Sequence, residues 1–163
     1  MKYLLSALLL LSFMTIAHAQ SSVPSVEVKT LEGETIDISE YIQPGKNYVI
    51  SFWATWCSPC KKELDAISEV YEEWQEEYDI ELLAITIDNA RALAKVKPMV
   101  MEKGWEYTIF SDPNQKLFQA LNGNTVPQTY VVDAKGEIVY SHTGYVPGDE
   151  YELEDKLVML SGK

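Results

Sequence analysis

Apolar and polar positions change rhythm along the chain, and each change marks an element. After a polar stretch from Gln20 to Ser25, Val26-Glu27-Val28-Lys29 and Thr35-Ile36-Asp37-Ile38 alternate with period two around the turn Leu31-Glu32-Gly33-Glu34. A small N-terminal hairpin is predicted. Pro44-Gly45-Lys46 turns the chain into Asn47-Tyr48-Val49-Ile50-Ser51-Phe52-Trp53-Ala54, an almost continuous apolar run of the kind found in a central strand buried on both faces. From Cys57 to about Tyr78 the period lengthens. Leu64, Ile67, Val70, Tyr71, Trp74 and Tyr78 recur at spacings of three and four, while Lys61, Lys62, Asp65, Glu69, Glu72, Glu73, Glu76 and Glu77 take the opposite face. That pattern predicts one helix with a single core stripe, and Pro59 fits its first turn, where a missing N–H does no harm.

A second strand is predicted from Glu81 to Asp88, then a helix from about Ala90 to Lys103 ended by Gly104. Pro98 lies inside that helical pattern, so a kink or two short helices meeting there is expected. Tyr107-Thr108-Ile109-Phe110 reads as a short strand, and Pro113 to Leu121 as a helix stopped by Asn122-Gly123. Gln128 to Asp133 and Glu137 to His142, joined by Ala134-Lys135-Gly136, make a second hairpin. Glu150 to Leu160 supplies a closing helix. Hairpin, strand-helix-strand-helix, hairpin and helix together describe an α/β fold: a central mixed sheet with helices on both faces. Cys57 then falls at the carboxyl end of its strand, where open α/β sheets place their chemistry.

The ends and the charge refine this picture. Residues 1–19 combine Lys2, an apolar stretch through Leu4, Leu5, Leu8 to Leu11, Phe13 and Ile16, and a small-x-small ending at Ala17-His18-Ala19. They read as a secretory signal peptide, too short in its apolar run for a retained span. No cysteine follows it, which argues against a lipoprotein. Residues 20–163 remain as one domain in an extracytoplasmic compartment, soluble after cleavage and without stable membrane insertion. The 13 Lys and Arg against 25 Asp and Glu give a net charge of -12. Nucleic acid is therefore excluded as a natural partner, and the acidity favours solubility and basic partners.

The chemistry is concentrated in Cys57-Ser58-Pro59-Cys60, which holds both cysteines of the chain. Two thiols at this spacing, at the start of a helix, can close a small disulfide and reopen it, with the helix terminus favouring the thiolate of the first. A structural zinc site needs four ligands, but of the two histidines His18 falls in the predicted signal peptide and His142 stands alone in a strand, so the pair lacks the partners it would need. A purely structural disulfide gains most by closing a long loop, whereas this one encloses two residues. No cofactor and no metal are expected. Export without any other cysteine means that the pair acts on the cysteines of other proteins.

The segment Phe52-Trp53-Ala54-Thr55-Trp56-Cys57-Ser58-Pro59-Cys60-Lys61-Lys62-Glu63 resembles the active site of thioredoxin-fold proteins, and specifically of the exported TlpA/ResA-like thiol-disulfide oxidoreductases. Thr125-Val126-Pro127-Gln128-Thr129 is similar to the family's cis-proline loop, Val132 to Val139 to its terminal hairpin, and Asp88 to Ser111 to the helix-strand insertion of this subgroup. The resemblance implies a thioredoxin-like fold in which Cys57 is the exposed nucleophile, Cys60 the deeper resolving thiol and Glu63 a carboxylate that tunes the pair. It implies that Val126 offers its backbone to an extended substrate beside cis Pro127, with Trp56 shaping the rim and Trp53 packed beneath. Plain thioredoxins place an Asp in the preceding strand where this chain has Ser51, which strengthens the case for Glu63. Partners implied are disulfide-containing exported proteins and, upstream, a membrane thiol electron donor.

The dipeptide Ser58-Pro59 lacks the histidine that stabilises the thiolate of strong oxidants, so the couple is expected on the reducing side. An oxidase or isomerase would use the same cysteines at a higher potential. A peroxidase of the peroxiredoxin type normally has a Thr three residues before its cysteine, whereas Thr55 is two before Cys57. A copper-carrying thiol module would need a histidine, for which His142 is the candidate. The branch that reduces apocytochrome c carries an acid after the cis-proline, and here that position is Gln128.

Overall fold

The two long apolar runs lie side by side at the centre of a seven-stranded sheet. A computed structural model describes residues 22–162. Its strands are β1 (Glu27–Thr30), β2 (Thr35–Asp37), β3 (Asn47–Trp53), β4 (Ile80–Thr86), β5 (Thr108–Ser111), β6 (Gln128–Val132) and β7 (Ile138–Thr143), in the order β2-β1-β5-β4-β3-β6-β7. β3, β4 and β5 run parallel, and the outer pairings are antiparallel. The helices are α1 (Ile38–Tyr41), α2 (Ser58–Ser68), α3 (Tyr71–Tyr78), α4 (Val96–Lys103), α5 (Lys116–Ala120) and α6 (Asp149–Ser161).

Alternation along β3 shows why both faces must be covered. From Tyr48 to Trp53 every residue is buried, and neighbours point to opposite faces. Ser51 meets Glu63 of α2 on one face, while Phe52 packs on Phe118 of α5 on the other, ring centroids 5.2 Å apart. On the α2 side Leu64, Ile67 and Trp74 are fully buried, each burial of an aliphatic chain contributing about 1.5–3 kcal/mol. The sequence-derived architecture, a mixed sheet with an N-terminal hairpin and a helix-strand insertion (α4, β5) between β4 and α5, is the observed one. The proposed signal peptide, residues 1–19, lies outside the described residues.

Four local expectations are corrected. Ile38 does not extend β2 but begins α1, because the Asp37 carboxylate accepts from Ser39 N at 2.9 Å and caps a helix. The helix expected from Cys57 to Tyr78 is two helices. Near residue 69 the backbone tightens, Glu69 N reaching Ala66 O and Val70 N reaching Ile67 O, while Ser68 Oγ donates to Asp65 O. The re-phasing turns Tyr71 inward, where its hydroxyl accepts from Leu82 N at 3.1 Å. The helix expected from Ala90 is regular only from Val96; a single 3-10 turn at Leu93–Lys95 precedes it, and Pro98 falls in the first turn, where its lost donor costs nothing. Residues 113–115 form a turn with Gln115 at φ 55°, and Asp112 accepts from Lys116 N and Phe118 N to start α5 late.

Candidate active site

β3 ends at Trp53, and a tight turn, Cys57 N to Ala54 O at 3.0 Å, delivers the chain into α2. Cys57 is the N-cap of that helix, and its sulfur accepts from Cys60 N at 3.2 Å. The two cysteines are joined as a disulfide. The expected order of depth is present, but Cys57 is less open than an exposed nucleophile would be. It keeps 4% of its surface and Cys60 none, because capping turns the first sulfur back over the helix terminus. Its sequence neighbour Trp56 is 68% exposed and supplies the open apolar surface beside the thiol. Trp53 is fully buried, edge-on to Trp105 at 5.2 Å.

Asp88, just past β4, holds the turn before Cys57 in place. Its buried carboxylate accepts from Thr55 N at 2.7 Å, Thr55 Oγ1 at 2.9 Å and Thr86 Oγ1 at 2.7 Å. Lys61 Nζ adds a hydrogen bond to Thr55 O at 3.1 Å. The Val126-Pro127 peptide is cis. Since Phe52 pairs with Gln128 in the antiparallel β3-β6 register, this loop stands at the same end of the sheet as Cys57. Gly144 N donates to Pro127 O at 2.8 Å and ties the loop to the segment after β7.

Glu63 follows Cys60 by one helical repeat of three, on the same face of α2, and is 2% exposed. Three strands converge on it. Ser51 pairs with Thr129, and Thr129 with His142, so one row of polar side chains crosses β3, β6 and β7 beneath the helix. Thr129 Oγ1 donates to Glu63 Oε1 at 3.0 Å, Ser51 Oγ donates to Oε2 at 3.2 Å, and His142 Nε2 lies 2.9 Å from Oε1. Burial opposes charging of His142, yet the hydrogen bond and charge of Glu63, helped by Asp149 and Glu152, hold its pKa above the ordinary imidazole value. Its Nε2 is thus directed at a carboxylate. Among the described residues no three His, Cys, Asp or Glu side chains are grouped to hold a metal ion.

The sequence matches the AhpC/TSA family over residues 19–141. The chain belongs to the AhpC/TSA family. It is similar to the thiol-disulfide oxidoreductase ResA of Bacillus thuringiensis (strain Al Hakam), 28% identical over 79% of this chain and 72% of that protein. The solution structure of a thioredoxin-like protein from Porphyromonas gingivalis is 42% identical, with a TM-score of 0.77 over 86% of this chain and 92% of that one. StoA from Bacillus subtilis is 25% identical, with a TM-score of 0.63 over 80% and 98%. The AhpC/TSA chain described here has the thioredoxin-like fold and is an enzyme of the thiol-disulfide oxidoreductase type.

In this oxidoreductase the structure brings Cys57, Cys60 and Glu63 onto one turn-and-a-half of helix, and it sets the Val126-Pro127 loop at the same sheet end. Sequence reasoning missed Asp88, Thr129 and the link from His142 to Glu63. Asp88 had a signal, a carboxylate just past a largely apolar strand, whereas Thr129 and His142 sit in strands that carry other polar residues and had none. What each side chain touched was not readable.

Proposed function

We propose that this enzyme is an exported reductase of disulfides in extracytoplasmic proteins. The observation that carries the reading is the sealed Cys60 backed by the buried Glu63 carboxylate, with no cation in the Ser58-Pro59 dipeptide. Negative charge beside the sulfurs penalises thiolate, and a couple whose reduced form lacks that stabilisation lies toward the reducing side. The Cys57 thiolate attacks a partner disulfide, one partner sulfur leaves as thiolate, and a mixed disulfide forms. Cys60 then gives its proton to Glu63 and attacks Cys57 Sγ, expelling the second partner thiolate. Two electrons have passed to the partner. A thiol donor held in the membrane would return the Cys57-Cys60 pair to its dithiol state.

Val126 supports an extended substrate segment by strand-like backbone bonding beside Cys57, and Trp56 covers its apolar side chains. The Gln128 side chain is buried and its amide is engaged by β7. Its amide donates to His142 O at 2.8 Å and accepts from Thr143 Oγ1 at 2.6 Å, which favours general disulfide reduction over an apocytochrome c thiol reductase. Thr55 Oγ1 is committed to Asp88, which weighs against peroxide chemistry at Cys57. Equilibration with glutathione buffers is expected to place the couple below about -230 mV; a value near about -120 mV, the range of strong oxidants, would reverse the direction. A Cys60→Ser variant is expected to accumulate mixed disulfides with exported proteins through Cys57, identifiable by mass spectrometry.

A further inference from the structure

From Cys60 outward, groups that can hold a proton become progressively more open to water. Cys60 is sealed and Glu63 is 2% exposed, while the His142 side chain is 17% exposed. Ser51 and Thr129, the other partners of Glu63, are fully buried hydroxyls that donate to the carboxylate. Among the described residues, the one titratable side chain hydrogen-bonded to Glu63 is His142, and His142 reaches solvent.

We propose that His142 is the outlet of a proton relay for the resolving step, taking from Glu63 the proton that Glu63 removes from Cys60 and releasing it to water. The proposal rests on the reading of Glu63 as the base for Cys60. The step balances within the site. Cys60 S–H becomes thiolate, the Glu63 carboxylate is regenerated, and neutral His142, protonated at Nδ1, becomes imidazolium at Nε2. The Cys60 thiolate forms a bond to Cys57 Sγ, the bond from Cys57 to the partner sulfur breaks, and its electron pair leaves on the partner thiolate, which takes a proton from water. The partner disulfide is the sole oxidant.

The surroundings suit a proton acceptor. Asp149 and Glu152 of α6 act on His142 in the same sense as Glu63, favouring imidazolium against the opposing effect of burial. Tyr140 of β7 packs on its ring at 5.8 Å, with its hydroxyl on Glu152 at 3.0 Å and Lys156 Nζ 5.0 Å from its ring centroid. Tyr107 and Tyr145 also feel the Glu63 charge. Below the pKa of His142 the relay is already loaded, so resolution is slow; above it the outlet is open. His142 is in this sense a positioning residue, acting on sulfur only through Glu63.

Reduced protein mixed with near-equimolar nitrobenzoate disulfide DTNB releases one coloured thiolate on attack by Cys57 and a second on resolution by Cys60. His142→Gln is expected to slow the second release by about tenfold or more at neutral pH and to abolish its rise with pH, leaving the first release unaltered. His142→Ala should behave alike and recover with added imidazole. In the unsubstituted protein the second release alone should be slower in heavy water. A second release in His142→Gln with the original rate and pH profile overturns the relay, as does the absence of an isotope effect. Glu63→Gln separates the two levels. If it slows the second release while His142→Gln does not, the relay alone fails; if it too has no effect, the role of Glu63 as base fails with it.

Discussion

At His142 two forces oppose each other, and the one that wins fixes the sign of a pH effect. Burial, the largest single influence, disfavours the imidazolium, and the hydrogen bond and charge of Glu63 at 2.9 Å together with the charges of Asp149 and Glu152 outweigh it, so the folded pKa is raised above 6.5. A raised pKa means that folding binds a proton. The stabilisation is fully present below pH 6.5 and is lost as pH climbs through the folded value. Urea midpoints measured on the intact protein are expected to fall above pH 6.5, with the decline absent in His142→Gln. Asp88 acts at the same scale through its hydrogen bonds. Asp88→Ala strands the buried Thr55 N–H and two hydroxyls, at a cost of at least about 2 kcal/mol. Because that N–H anchors the turn into Cys57, the first thiolate release should slow together with the loss of stability.

Among the elements, short-range capping and long-range packing separate cleanly. α1 exists because Asp37 caps it; Asp37→Ala should cost about 1 kcal/mol and lower Tm by about 3 °C, with thiol exchange unaffected, since β2 is the sheet edge farthest from β3 in strand order. α2 is anchored differently. Leu64 is fully buried, and its carbonyl accepts from Tyr107 Oη at 2.7 Å. Leu64→Ala is expected to cost about 2–5 kcal/mol and to weaken both stability and exchange, because the helix carrying Cys60 and Glu63 loses its seat. Thermal unfolding combined with the two-phase thiolate assay distinguishes the two variants.

For the whole molecule, the net charge of -12 sets the approach of substrates. A negative field raises the encounter rate of cationic partners and lowers that of anionic ones, and salt screens both effects. Reduction of a cationic small disulfide such as cystamine is expected to outpace that of anionic oxidised glutathione at low ionic strength, the gap narrowing as salt is added. A gap indifferent to salt would place the preference in local contacts at Trp56 and Val126 instead. The same acidity is spread along α3, where Glu72, Glu73, Glu76 and Glu77 face away from the core stripe of Tyr71, Trp74 and Tyr78.

The sequence alone determined whatever depends on neighbours within a few positions. Period-two and period-three-to-four patterns located every strand and the stretches that hold α2 to α6, with α2 and α3 read as one helix, since those periods are geometric properties of the backbone. The Cys57-Cys60 spacing and its place after a buried strand announced redox chemistry, and Gly104 and Asn122 marked helix ends through the left-handed backbone they adopt. The capping signature Asp37-x-x-Glu40 was equally present and marks α1 in hindsight. Tertiary structure alone decided what stands behind the sulfurs. Ser51, Thr129 and His142 lie far apart in sequence, and only the register of three strands places them in one row beneath Glu63. A buried carboxylate must collect its donors from whichever elements surround it, and strand order, not local pattern, chooses those elements.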